Sequence, residues 1–133
     1  MSTPETSSVT LLLLLVALTV KHFIADYPLQ TKYMLKKTNA KDWQLPLLSH
    51  TLVHGGLTTV IFLFVVGFPA ALIFGFLDWL IHLVVDLWKA RFTRHYNQFQ
   101  KKFWTALGFD QMLHQLTYIA LAFIVYRLHT WGV

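Results

Sequence analysis

Eight ionisable residues recur in this chain as one spaced pattern, set inside segments that are otherwise apolar. His22, Asp26, His50 and His54 reappear sixty positions later as His82, Asp86, Asp110 and His114, with the intervening spacings kept and only the third member exchanged. Residues at i and i+4 lie one turn apart on the same helix face. The pattern therefore predicts four helices that each turn two polar groups the same way. Ionisable groups inside hydrocarbon are costly, and they are found facing a bundle interior where they bind an ion, a proton or a substrate. That constraint allows few folds besides a membrane helix bundle with a polar centre.

Composition agrees. The 133 residues are 56% hydrophobic and only 13% charged, with a mean hydropathy of +0.52, too apolar for an ordinary soluble domain of this length. The expected fold class is all-α: a polytopic protein with four transmembrane helices over 9–29, 45–66, 69–89 and 106–128. Each is close to the ~20 residues that cross the hydrocarbon. They form one membrane domain, 1–133, made of two tandem hairpins, 9–66 and 69–128. Pro46 and Pro69 fall in first turns, where a missing N–H costs nothing, and Pro28 helps end the first span. The tight joint at Gly67 makes the second and third spans antiparallel neighbours. The sixty-residue spacing suggests a parallel internal repeat, with a pseudo-two-fold axis along the membrane normal passing through the polar site. Gly55 and Gly56, just after His54, would let the second span approach its neighbours closely.

Basic residues orient the bundle. Lys32, Lys36, Lys37 and Lys41 follow the first span, and Arg91, Arg94, Lys101 and Lys102 follow the third, whereas the first ten residues and the Gly67 joint carry none. The positive-inside rule puts both basic loops in the cytoplasm and both termini outside it. The amino-terminal segment lacks a basic n-region and is expected to stay as a membrane span. The formal charge of +5 is accounted for by topology and anionic lipid, and no interleaved aromatic pattern argues for nucleic acid.

With that topology all eight polar residues fall in the cytoplasmic half. Corrected for chain direction, Asp26, Asp86, Asp110 and His50 form a layer nearer the cytosol, and His22, His54, His82 and His114 a layer about 6 Å deeper. A single intramembrane His or Asp is often only a helix–helix hydrogen-bond partner. Eight at matched depth point instead to a shared metal or proton site, with all eight as candidate ligands and Asp26, Asp86 and Asp110 as candidate catalytic carboxylates. The chain has no cysteine, so imidazole and carboxylate must hold any ion. That donor set suits zinc, and also iron or manganese. Eight candidates exceed what one tetrahedral ion uses, and a dinuclear centre in a helix bundle matches the count. Asp78, Gln30, Lys89 and Gln111 flank the cluster as candidates to support the ligands or touch substrate, with snorkelling to the interface the simpler expectation for Lys89. His95 and His129 are expected to be uninvolved.

The motifs His22-x3-Asp26-x-Pro28-x-Gln30, His50, His82-x3-Asp86-x2-Lys89 and Asp110-Gln111-x2-His114 resemble those of an uncharacterised bacterial family of small integral-membrane proteins, a domain of unknown function. More loosely, the chain resembles inner-membrane proteins labelled membrane-bound metal-dependent hydrolases. The resemblance implies a bacterial inner (plasma) membrane and strengthens the metal reading. The expected function is a metal-dependent hydrolase at the cytoplasmic face, acting on a lipid or lipid-linked phosphoester, with membrane lipids as partners. The alternatives are transport or binding of a divalent metal or proton, a di-iron membrane oxidoreductase, haem or pigment binding, and a structural subunit of a homo-oligomer or membrane complex.

Overall fold

The computed structural model describes residues 4–131. Within them the chain forms four α-helices and no strand: α1 Pro4–Asp26, α2 Gln44–Val66, α3 Phe68–Phe92 and α4 Lys101–Trp131, with a short 3-10 turn at Met34–Thr38 between the first two. The expectation for the two chain termini concerns residues 1–3 and 132–133, which lie outside the described residues.

Three helices, over Ser8–Asp26, Gln44–Val66 and Phe68–Phe92, are long and apolar enough to cross a membrane. Three of the four expected spans have that character, and α4 does not reach it. The stretch 106–128 lies within α4, but Asp110, Gln111, His114, Gln115, Tyr118 and Arg127 dilute its apolar run. Around the bundle, side chains such as Leu12, Leu13, Phe64, Ile73, Phe76 and Val84 are exposed. Lipid is the solvent that such a surface suits, since water-soluble monomers rarely expose so large an apolar area.

The helices form a ring in which α1 packs on α2, α2 on α3, α3 on α4, and α4 back on α1. Gly67, at φ 79°, ends α2 and starts α3, a backbone position that favours glycine. The α2–α3 contact is the tightest, and two glycines make it so. A Cβ on Gly55 would come within 2.6 Å of the Trp79 Cβ, and a Cβ on Gly75 would collide with the Thr59 hydroxyl. Gly56, expected to share this role, faces open space.

The ring has two unlike ends. Away from the basic loops, Leu14, Leu18, Phe62, Phe74, Leu121, Ala122 and Val125 fill the interior, with Phe62 and Phe74 stacked at 4.4 Å. At the other end the loop after α1 is tied to the last turn of α3. The Arg91 guanidinium donates to the backbone carbonyls of Lys37 and Asn39, both at 2.8 Å, and lies over the Trp43 ring. The polar site occupies the bundle between this clasp and the apolar plug.

Candidate metal centre

Each helix delivers its polar groups along one stripe, at successive i+4 positions: His22 and Asp26 on α1; His50, His54 and Thr58 on α2; Asp78, His82 and Asp86 on α3; Asp110, His114 and Tyr118 on α4. All are buried except Asp26, which is partly so. The deeper imidazoles gather first. His82 is sandwiched between His54 and His114, with ring centroids 3.7 and 3.9 Å away, and His22 lies 5.0–5.7 Å from all three.

The carboxylates cap these rings on the side of the basic loops. Asp26 Oδ1 is 3.1 Å from His54 Nε2 and 3.4 Å from His50 Nε2. Asp86 lies 3.3 Å from His50 Nε2 through Oδ2 and 3.4 Å from His114 Nε2 through Oδ1. His50 thus spans the gap between the two carboxylates.

Two overlapping sets of ligand atoms result, each within 4.8 Å of one another: Asp26, His50, His54 and His82; and His82, Asp86 and His114. Donors bound to one tetrahedral zinc at ~2.0–2.1 Å stand about 3.3 Å apart along each edge. Within the two sets the N–O separations run from 3.1 to 3.8 Å, close to that edge. Direct hydrogen bonding does not account for them all. The Nε2 atoms of His50, His82 and His114, and the Nδ1 atoms of His50, His54 and His82, are buried with no hydrogen-bond partner. Buried polar atoms are normally paired, and a cation shared among lone pairs would satisfy several of these at once. The donor set fits a divalent ion.

Six of the eight expected ligands belong to these sets, and His22 and Asp110 do not. Their atoms are engaged elsewhere. His22 Nδ1 shares a 2.8 Å hydrogen bond with the Tyr118 hydroxyl, and its Nε2 is 3.1 Å from Gln111 Oε1 and 3.2 Å from Asp26. Asp110 Oδ2 accepts from Lys89 at 2.7 Å and Gln111 at 3.1 Å, while Oδ1 lies 3.4 Å from His114 Nε2 without a hydrogen bond. Gln111 also donates to Asp26, so one amide braces three members of the cluster. Gln30 donates to the Asp26 backbone carbonyl at 2.7 Å rather than to a ligand atom.

Lys89 does not snorkel away. It pairs with Asp110, as Lys37 from the 3-10 turn pairs with Asp86 at 2.6 Å. Both line a cavity of about 370 Å³ that opens among the basic loops, with Arg94 on its wall and Asp26, Asp86 and Asp110 exposed to it. His95 is solvent-exposed beside Arg94, and His129 lies near the far end of α4, so neither joins the cluster.

The chain matches the family model described as "Protein of unknown function (DUF3307)" over residues 14–131. It belongs to that family. No curated protein and no solved structure matches it. The match covers α2, α3 and α4 whole, α1 from Leu14 onward, and every residue of the site.

One part of the site was missed. Lys21, placed by its sequence position only at the end of an apolar run, is buried and donates to Asp78 at 2.8 Å and Tyr118 at 3.1 Å. Thr58 donates to the same Asp78 oxygen at 2.5 Å. These four make a third polar layer, linked to the imidazoles through Tyr118 and His22. A signal for it existed: Thr58 and Tyr118 are themselves sixty positions apart, each four residues past a paired histidine.

Proposed function

We propose that this protein is an integral-membrane, metal-dependent hydrolase acting at the cytoplasmic membrane face on a lipid or lipid-linked phosphoester. The observation that carries the reading is the cavity: Lys37, Lys89 and Arg94 share its wall with Asp26, Asp86 and Asp110, and the imidazoles lie buried behind those carboxylates. Cationic groups recognise a phosphate through charge-assisted hydrogen bonds. A divalent ion held by Asp26, His50, His54 and His82, with room for a second at Asp86 and His114, would polarise the phosphoryl group and make bound water acidic. Three imidazoles and one carboxylate favour zinc, with iron and manganese as the other metals to test.

Within this scheme Lys37 and Lys89 exchange their carboxylate partners for phosphate oxygens, and Arg94 closes on the same group. Asp110 is the carboxylate suited to accept a proton, since it stands outside both ligand sets and keeps one oxygen without a hydrogen bond. Gln111 holds Asp26 and Asp110 at fixed separation. The Phe62–Phe74 plug favours hydrolysis over transport, because it leaves the polar stripe closed at its deep end.

The setting we propose is a bacterial inner membrane with both basic loops cytoplasmic. α4 would cross with the other three helices, turning His114 and Tyr118 inward, which leaves both termini outside. The test uses protein purified in detergent, loaded with zinc, manganese or iron(II), and incubated with phosphatidic acid and with single-chain alkyl phosphates. Released inorganic phosphate that disappears in Asp110→Asn, with metal content unchanged, supports the reading. A metal-loaded protein that leaves every phosphoester intact overturns it.

A further inference from the structure

A second concavity adjoins the first, and its chemistry is the opposite. On the far side of the end of α3, Trp88, Phe92, Ala106 and Phe109 wall an open groove of about 630 Å³ between α3 and the start of α4. The Trp88 and Phe109 rings meet edge to face at 5.5 Å, and Phe92 is 71% exposed. Lys101 and Lys102 stand at the rim, the latter with its ammonium 4.4 Å over the Tyr96 ring.

Two residues join the spaces. Thr93 and Tyr96 line both the groove and the polar cavity. Consecutive side chains of α3 face the two compartments: Lys89 points into the cavity beside Asp110, and Trp88 into the groove. A ligand that fills both must therefore carry an anionic group at one end and an apolar body directly attached. A free phosphate has nothing to put in the groove, and a neutral hydrocarbon gains nothing from Lys89, Arg94, Lys101 and Lys102. The cavity and the groove together offer one place for a head group and one for an apolar chain attached to it.

We infer that the groove between α3 and α4 binds the hydrocarbon chain of a single-chain phosphate monoester, an alkyl or prenyl phosphate, whose head group occupies the adjoining cavity. The inference rests on the phosphoester reading of that cavity and specifies its substrate class. Bilayer lipid is as apolar as the groove, so preference comes from holding the charged head group and its attached chain together, not from burying methylenes as such.

A dodecyl phosphate carrying a diazirine at the chain end tests this in nanodiscs of phosphatidylcholine. Illumination should label peptides containing Trp88, Phe92 and Phe109 over those containing Phe76 and Phe123, which face lipid elsewhere on the bundle. Ala106→Trp, which fills the groove, and Phe109→Ser, which removes a wall, should each reduce that labelling about tenfold or more. Excess unlabelled dodecyl phosphate should compete, and excess dodecanol should not. Labelling spread evenly around the bundle, as by surrounding lipid, overturns the inference, and so does equal competition by dodecanol. Metal content is measured on the same samples: uniform labelling with metal retained removes the groove and leaves the metal centre, whereas absent metal removes the centre whatever the labelling.

Discussion

The Lys21–Asp78 pair gives the sharpest energetic expectation. Both side chains are almost inaccessible, with 4% and 1% of the residue exposed, and both charges lie in the apolar part of the bundle. Their contact at 2.8 Å is supplemented by the Tyr118 and Thr58 hydroxyls. Asp78→Leu leaves the Lys21 ammonium with only the Tyr118 oxygen, and Lys21→Met leaves the carboxylate with only Thr58. Removing one partner of a buried pair costs about 3–5 kcal/mol, because the other charge remains buried without compensation. Deleting both removes the uncompensated charge as well. The double variant Lys21→Met/Asp78→Leu is therefore expected to lose less than either single variant, with a coupling energy of at least about 2 kcal/mol. Thr58→Ala, which takes one hydrogen bond from Asp78, should cost about 1 kcal/mol. Reversible unfolding in mixed micelles with increasing SDS, followed by circular dichroism, measures all four. Single-variant losses that simply add in the double variant would refute the account of this network as one charge-compensated unit.

Gly75→Ala should destabilise the bundle by about 1–3 kcal/mol, because the new methyl meets the Thr59 hydroxyl and lies 2.9 Å from the Gly55 carbonyl oxygen. Gly56→Ala, in open space on the same helix pair, should be neutral or stabilise by up to about 1 kcal/mol in the same assay. A reporter inserted beside Lys37 should be active only as a cytoplasmic enzyme, and one fused after Val133 only as an exported enzyme; the reverse pattern would invert the membrane orientation.

Much of this arrangement was legible in the chain. The i+4 pairs specified which helix faces turn inward, because a helix has one fixed period and each pair had to share a side. Direction-corrected order likewise anticipated that Asp26 and Asp86 lie nearer the loops than the His22, His54, His82 and His114 rings. What spacing does not carry is which polar neighbour engages each atom. His22 looks like its sixty-residue counterpart His82, and Asp110 stands where His50 does, yet Tyr118, Gln111 and Lys89 engage them instead. Apart from the neighbouring Gln111 on Asp110, these contacts come from other helices, at sequence separations no periodicity reports. Lys21 was passed over for a related reason: its charge is tolerable in the span only because Asp78, 57 residues away, meets it there.

The sixty-residue spacing is kept only along the polar stripes. The close approach of α2 and α3 at Gly55 and Gly75 has no counterpart sixty residues away, where positions 115 and 15 carry Gln115 and Leu15. The apolarity of α4 was overestimated for a simpler reason. Its inward face holds Asp110, His114 and Tyr118, and Gln111, Gln115 and Arg127 leave fewer apolar residues than on the other helices.

The buried imidazoles and carboxylates are proposed to hold a divalent metal ion, and His82 belongs to both ligand sets. Elemental analysis by plasma mass spectrometry of detergent-purified wild type, His82→Ala and His129→Ala tests it directly. The account predicts one to two equivalents of zinc, or of iron or manganese, in wild type and His129→Ala. His82→Ala should lose the metal, and its melting temperature should fall and no longer respond to added metal, because an ion that binds only the folded bundle stabilises it by mass action. Equal metal content in wild type and His82→Ala, or none in either after loading, would contradict the centre.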